Sequence, residues 1–265
     1  MSEAKKSLGQ HWLEDRSILQ AIVAAGDISS HDNVLEIGPG KGTLTRKLLD
    51  TGAHVHALEF DTELLPFLKS AFSMYDNFIV TEGDIRKFDY STMKQGYKVV
   101  ANIPYYLTSN LIRAISETVN PPAIAVLLIQ KEVAKRLCAG PGQMGILSVT
   151  AQFYFTCELG VEVPARYFSP PPKVDSQVVI MTRRKEVLFP VDERKFFQFV
   201  KAGFSEKRKT LRNSLSGGLG IPKDTVEKLL QSSKIHSTAR AQELSLAEWN
   251  TLYLNYESHG TSANE

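Results

Sequence analysis

Apolar residues in the first two-thirds of the chain follow two alternating patterns. Short runs rich in Val, Ile and Leu predict strands near Asn33–Ile37, His54–Phe60, Phe78–Thr81, Lys98–Ala101 and Ala123–Gln130. Between them, leucines and isoleucines recur at helical spacing: Leu44, Leu48 and Leu49, then Leu64, Leu65 and Leu68, then Leu111, Ile112 and Ile115. This alternation predicts an α/β domain, a parallel sheet with helices on both faces. Gly145–Phe155 reads as another helix, because Ile146, Leu147, Val149, Thr150, Phe153 and Tyr154 share one broad face. Two extended pieces come next, Glu158–Val163 and Ser176–Thr182, separated by Pro170-Pro171-Pro172. That rigid connection suits an antiparallel hairpin closing the sheet.

Beyond about Pro190 the strand signals stop. Phe196, Phe197, Val200 and Phe204 make one helical stripe, and Val226, Leu229 and Leu230 make another. Gly217-Gly218 and Gly220-Ile221-Pro222 read as helix breaks, and Trp249 and Tyr253 as packing residues of a terminal helix. We therefore expect a sheet domain over residues 1–187 and a small all-helical domain over 188–265, with Ser258–Glu265 disordered by composition.

Composition narrows the class of protein. At 265 residues, 43% hydrophobic and 23% charged, the chain can bury a sizeable core. Cys138 and Cys157 have neither CxxC spacing nor histidine company, so no disulfide framework or zinc site is expected. The longest apolar run, near Ala123–Ile129, is too short to cross a bilayer, and no signal-peptide pattern opens the chain. A cytoplasmic protein without membrane contact is the expectation. The net charge of +2 hides an asymmetry: Met181–Arg212 holds ten Lys/Arg against four Asp/Glu, on a body that is otherwise mildly acidic. A basic segment of this kind suits a polyanion, although a solvated helix face would look the same.

The chemistry begins at Glu36-Ile37-Gly38-Pro39-Gly40-Lys41-Gly42-Thr43, where a buried strand runs through a glycine turn into a helix. Glycines there let the backbone approach a ligand closely. The spacing is not the dinucleotide fingerprint, which would need glycine at Thr43. Glu36 would also set a negative field against a pyrophosphate, an objection that a zwitterionic sulfonium cofactor does not meet. Glu59 ends the second strand, 21 positions after Gly38, where a carboxylate can accept both ribose hydroxyls of a nucleoside. Asp84 comes just after the third strand, where it can accept from an adenine amine while the backbone N–H of Ile85 donates to the ring. Acids at the carboxyl ends of successive parallel strands face the edge where open α/β sheets bind ligands.

The fourth strand delivers Asn102-Ile103-Pro104-Tyr105. With Ser7-Leu8-Gly9-Gln10-His11-Trp12-Leu13, Phe168-Ser169-Pro170-Pro171-Pro172-Lys173-Val174-Asp175-Ser176 and Lys207-Arg208-Lys209-Thr210-Leu211-Arg212-Asn213, this loop makes the chain resemble, over nearly its whole length, the ribosomal RNA adenine N6,N6-dimethyltransferases, the KsgA family of class I methyltransferases. His11 and Trp12 depart from the asparagine and phenylalanine that members often carry, but keep hydrogen-bonding and aromatic character.

The resemblance implies a Rossmann-like methyltransferase domain over 1–187 and a helical RNA-binding domain over 188–265. It implies S-adenosyl-L-methionine as methyl donor, held by Gln10, His11, Leu13, Glu36, Gly38, Gly40, Glu59, Asp84, Ile85 and Asn102, and no metal. Asn102, Pro104, Tyr105 and Phe168 would be the catalytic set: two acceptors for the N6 amine of an extruded adenine and two aromatic rings beside the base. Lys201, Lys207, Arg208, Lys209 and Arg212, expected on one helical stretch, would hold the RNA. The implied substrate is a pair of adjacent adenosines in the 3′-terminal hairpin of small-subunit (16S) rRNA within an immature subunit, modified by a monomeric enzyme. Two other readings compete: the antibiotic-resistance type of large-subunit rRNA adenine methylase, and a binding or assembly factor that keeps the fold without catalysis. The Pro-Pro-Pro-Lys-Val-Asp-Ser and Lys-Arg-Lys-Thr-Leu-Arg-Asn runs favour the small subunit over the first, and the intact acids and catalytic loop disfavour the second.

Overall fold

Strand and helix alternate along the chain as the apolar pattern predicts, in a computed structural model that describes Lys5 and residues 8–262. The elements are β1 (Trp12–Leu13), α1 (Arg16–Ala25), β2 (Asn33–Ile37), α2 (Thr43–Leu49), β3 (His54–Glu59), α3 (Leu65–Ala71), β4 (Phe78–Glu82), β5 (Lys98–Asn102), α4 (Thr108–Glu117), β6 (Ile124–Gln130), α5 (Lys131–Leu137), α6 (Ile146–Tyr154), β7 (Phe155–Val163), β8 (Phe168–Ser169), β9 (Ser176–Arg183), α7 (Glu193–Gly203), α8 (Leu211–Leu219), α9 (Lys223–Ser232) and α10 (Leu246–Ser262). The chain divides into two compact units, one of Met1–Lys135 with Phe155–Arg184 and one of Arg136–Tyr154 with Lys185–Glu265.

In the first unit a seven-stranded sheet has the order β4-β3-β2-β5-β6-β9-β7. β4 through β6 pair in parallel, and β9 runs antiparallel to both β6 and β7, so the hairpin closes the sheet as expected. Val34, Val55, Val100, Val126 and Val178 pack with Ile18, Leu19 and Ile22 of α1, Leu44 and Leu48 of α2, and Leu68 of α3. Leu35, Val99, Leu127 and Val179, on alternate positions, are fully buried as well. Central strands buried on both faces read as unbroken apolar runs, which is why their bounds are legible in the sequence. Less legible are α1, which the Asp15 carboxylate caps through the N–H groups of Ser17 and Ile18 at 2.9 and 3.0 Å, and the two-residue pairing of β1 with β8, which sets Leu13 against Phe168.

The second unit takes in residues 136–154, which the hydrophobic pattern alone leaves with the sheet domain. Packing decides the matter: Phe153 of α6 stacks on Phe196 of α7 at 5.4 Å between centroids, with Phe197 edge-on at 5.2 Å. Phe199 is fully buried while Phe197 is partly open, and Trp249 and Tyr253 of α10 pack around Phe199. Gly217 and Gly218 do not break a helix. They lie inside α8, which stops at Gly220 with φ +69°. A Cβ on Gly218 would come within 2.7 Å of the Ala202 Cβ, so the glycine is there for the close approach of α7 and α8. Ser258–Ser262, read as disordered from composition, continue α10, and residues 263–265 lie outside the described residues. Among the described residues no helix is long and apolar enough to cross a membrane.

Overpacking at that crossing gives a test. Gly218→Val is expected to lower unfolding stability by roughly 1–3 kcal/mol in urea titration. Gly217→Ala, whose added methyl meets only the Glu206 carboxylate at 3.9 Å, should raise it by about 0.5–1 kcal/mol.

Candidate active site

The carboxyl ends of β2, β3, β4 and β5 open into one cavity of about 190 Å3, wholly within the first unit. Gln10, His11, Leu13, Glu36, Gly38, Gly40, Glu59, Asp84, Ile85, Asn102, Pro104, Tyr105 and Phe168 all line it. The structure therefore brings together every cofactor and catalytic residue expected from the sequence. The basic residues belong to the second unit.

Each acid is held differently. Glu59 is 6% exposed, and its carboxylate accepts from the Gly40 N–H at 3.1 Å and the Asp61 N–H at 2.8 Å, which fixes its plane and leaves lone pairs for a ligand. Gly40 can donate there because its φ of +56° turns the chain back, and because a Cβ at that point would sit 3.1 Å from the Trp12 ring. Asp84 is gripped by the Arg86 guanidinium, with Nε 2.9 and 3.0 Å from its two oxygens, and this pairing holds its carboxyl below the usual range. No described residue accepts from the Ile85 N–H beside it.

Glu36 is the anomaly. It is 1% exposed, and neither of its oxygens has a hydrogen-bond partner. Burial pushes its carboxyl up to about 8; the nearby Thr45 hydroxyl tempers the shift without making a well-formed bond, and the charge of Glu59 adds to it. The carboxyl is thus largely protonated at neutral pH, which corrects the expectation that an ionised Glu36 repels a pyrophosphate. Against that ligand the glycine spacing remains.

At the loop after β5, the Asn102 amide nitrogen faces the His11 backbone carbonyl at 3.5 Å. A carbonyl only accepts, so this contact turns Oδ1 the other way and leaves it free to accept. The Pro104 carbonyl takes the Leu107 N–H at 2.9 Å and keeps one lone pair. Tyr105 is tethered by its hydroxyl to Ser176 at 2.7 Å, and its ring lies 6.2 Å from His11 at an interplanar angle of 23°. Nδ1 of His11 donates to the Pro170 carbonyl at 2.8 Å. Phe168 is only 5% exposed and belongs to the hydrophobic core through its pairing with Leu13, so its ring serves as wall more than as open stacking face. The Leu13 carbonyl likewise accepts from Thr43 Oγ1 at 2.8 Å and keeps one lone pair.

The family named ribosomal RNA adenine dimethylase matches residues 1–258. The chain belongs to the ribosomal RNA adenine dimethylases. It is 41% identical over 258 residues to ribosomal RNA small subunit methyltransferase A of Dehalococcoides mccartyi strain CBDB1, covering 96% of this chain and 89% of that one. The same enzyme of Synechocystis sp. is 41% identical over 267 residues, covering 92% and 93%. Among solved structures, a dimethyladenosine transferase from Plasmodium falciparum superposes with a TM-score of 0.81 at 28% identity, over 94% and 98% of the two chains. The 23S rRNA methyltransferase ErmE does so with 0.74 at 26%, over 93% and 99%. This adenine dimethylase is accordingly an enzyme with a Rossmann-like sheet domain and a helical C-terminal region.

Sequence reasoning passed over Phe60, 57% exposed on the cavity rim, and Arg86, Tyr106 and Asp61, which line it too. The signal was available in Glu59-Phe60-Asp61, where an apolar residue and a second acid come directly after the strand-end carboxylate. It also placed the basic cluster on a helix. In the second unit α7 ends at Gly203 and α8 starts after Thr210, so Lys207, Arg208 and Lys209 stand exposed in the connecting loop, with Lys201 exposed on α7. Arg212 is committed to Glu227 at 3.0 Å and Asp224 at 3.4 Å.

The buried acid of this dimethylase predicts a pH effect. Unfolded, Glu36 ionises near its ordinary 4.5; folded, it holds its proton to about 8. Between those values the unfolded chain binds fewer protons, so this group lowers stability as pH rises. Glu36→Gln should match wild type in melting temperature near pH 4 and exceed it increasingly up to pH 8. Parallel curves would show that Glu36 is ionised in the fold.

Proposed function

We propose that this chain transfers methyl groups from S-adenosyl-L-methionine to N6 of two adjacent adenosines in the 3′-terminal hairpin of small-subunit (16S) rRNA, during ribosome biogenesis. The observation that carries the reading is the free Oδ1 of Asn102 beside the tethered Tyr105 ring, in the cavity that also holds Glu59 and Asp84. The small-subunit substrate is favoured over the large because the relatives near 40% identity are named for the small subunit, whereas ErmE stands at 26%.

The cavity fits the methyl donor. Glu59 is oriented for ribose hydroxyls, Asp84 with the Ile85 N–H for adenine, and the unpartnered Glu36, with Gly38, Gly40, Gln10, His11, Leu13 and Asn102, for the methionine end. When bound, S-adenosylmethionine supplies an electrophilic sulfonium methyl group.

The chain's own residues prepare the acceptor. An adenine amine is a poor nucleophile because its lone pair is delocalised into the ring. Asn102 Oδ1 and the remaining lone pair of the Pro104 carbonyl accept its two N–H groups, which favours a pyramidal nitrogen with a localised pair. Tyr105 stacks the extruded base, an interaction typically worth about 1–3 kcal/mol, and Phe168 adds an apolar wall. The amine formed by transfer is cationic and loses its proton readily, so no strong base is needed. Among the described residues no cluster of metal ligands occurs. Lys201, Lys207, Arg208 and Lys209 of the helical unit anchor the RNA, with Arg212 released from its acidic partners to join them. The enzyme acts as a monomer, in the cytoplasm, on an immature small subunit.

Three measurements test this. Tritiated S-adenosylmethionine should label unmodified small subunits at adenine N6; label confined to large-subunit RNA would overturn the substrate. Asn102→Ala should abolish transfer while RNA affinity stays near wild type, and unchanged turnover would remove Asn102 from catalysis. Replacing Lys207, Arg208 and Lys209 with Gln should weaken RNA binding and lower its salt slope by about 0.7–0.9 per lost phosphate contact; an unaltered slope would exclude the loop from the interface.

A further inference from the structure

A fourth carboxylate is built into the cavity wall. Asp61, two residues beyond Glu59, is 5% exposed, and both of its oxygens are occupied. Oδ1 accepts from Lys5 Nζ at 2.8 Å and from the Glu63 N–H at 3.2 Å, and Oδ2 accepts from Gln10 Nε2 at 2.9 Å. Gln10 Oε1 in turn accepts the backbone N–H of Lys5 at 2.8 Å. The backbone N–H of Asp61 meanwhile donates to Glu59 Oε1 at 2.8 Å. A single residue thus grips the N-terminal segment with its side chain and orients a strand-end acid with its main chain.

We propose that Asp61 is a positioning residue for the methyl donor, fastening the segment that carries Gln10, His11 and Leu13 onto the strand end that carries Glu59. The inference rests on reading this cavity as the S-adenosylmethionine site. Trp12 and Leu13 hold the far end of the segment by burial, but from Lys5 to His11 it is mainly polar, with Leu8 its one large apolar residue. A polar tie has to supply what burial does not. The tie is multiple, with its Lys5 end partly open to solvent: burial by itself would raise the Asp61 carboxyl, yet the bonds from Lys5, Gln10 and the Glu63 N–H together outweigh that and hold it below the usual range. It is also specific, since Lys5 is its one cationic partner among the described residues and Glu59 stands close by. Without Lys5 a nearly buried carboxylate would face a second one unneutralised. Lys5 bridges onward to the exposed Glu63 at 2.9 Å, so the segment is pinned at two acids. Two walls of the donor cavity, distant in sequence, then move as one.

The test uses the full chain and S-adenosylhomocysteine as probe. Asp61→Asn should weaken calorimetric binding about tenfold, as expected for losing a charge-assisted hydrogen bond. The maximal transfer rate at saturating donor should stay within about twofold of wild type, because the interaction lies outside the reacting atoms. Amide hydrogen exchange over residues 8–13 should accelerate in the variant without ligand. Lys5→Met, at a partly exposed position, should move binding and exchange in the same direction and covers the case in which Asp61→Asn folds poorly. Wild-type affinity in both variants, or unchanged exchange over residues 8–13, overturns the proposal. Failure of wild-type protein to bind S-adenosylhomocysteine overturns the donor reading instead, and the exchange comparison still decides whether Asp61 fastens the segment.

Discussion

Parallel pairing in a common register is the constraint on which the site depends. Ile37 lies against Leu58 on one side and Ala101 on the other, Glu59 against Glu82, and Asn102 against Leu128. Because the strands end within a residue of one another, the chain leaves the sheet at Gly38, Glu59, Gly83 and Asn102 along a single edge. A slip of one residue would turn each side chain to the opposite face. Val34, Val55, Val100 and Val126 would trade places with residues of the other buried face such as Leu35 and Val99, so the close packing of both faces resists the slip and keeps the alignment. The acids are placed by valines.

That dependence explains how much of the fold and site could be read from the sequence. The parallel strands were legible because the inner ones, β5 and β6 above all, are buried apolar runs, while the half-open edge strand β4 still shows Phe78, Ile79 and Val80 in a row, and the end of each run locates the loop that leaves it. The Gly38 turn, Glu59, Asp84 and Asn102 all came from that one regularity. The hidden features depend on contacts between segments far apart in sequence. β1 and β8 are two residues each and form only against one another. The fate of residues 136–154 turns on Phe153 meeting Phe196, and a helical pattern does not say which body it joins. Gly217-Gly218 looked like a break because local propensity penalises glycine, whereas helix–helix approach requires it at Gly218. Phe168 looked like a stacking ring because the sequence showed its neighbours in the chain and not Leu13, its neighbour in space.

Electrostatics divides along the same lines. At the cavity of the sheet unit charge is confined: Asp84 by Arg86, Asp61 by Lys5, and Glu36 by keeping its proton. In the helical unit Lys207, Arg208 and Lys209 stand in a loop without ion pairs among the described residues, while Arg212, at the start of α8, is already paired. Charge counts over a stretch of sequence treat these residues alike. Only those left unpaired generate a field that reaches solvent.

The acceptors of the Asn102–Tyr105 loop, in the proposed role, bear on what leaves the site. The Asn102 amide points its nitrogen at His11 and the Pro104 carbonyl has one lone pair spent on Leu107, so Asn102 Oδ1 and the Pro104 oxygen are left as acceptors for an amine. An unmodified amine offers two N–H groups and a monomethylated one still offers one. A dimethylated amine offers none, and its two methyl groups face oxygens that gain nothing from them. On the proposed reading, polar grip on the base fades with each transfer and disappears when the work is done, so the same two oxygens that would retain an unfinished adenosine would let the finished one go.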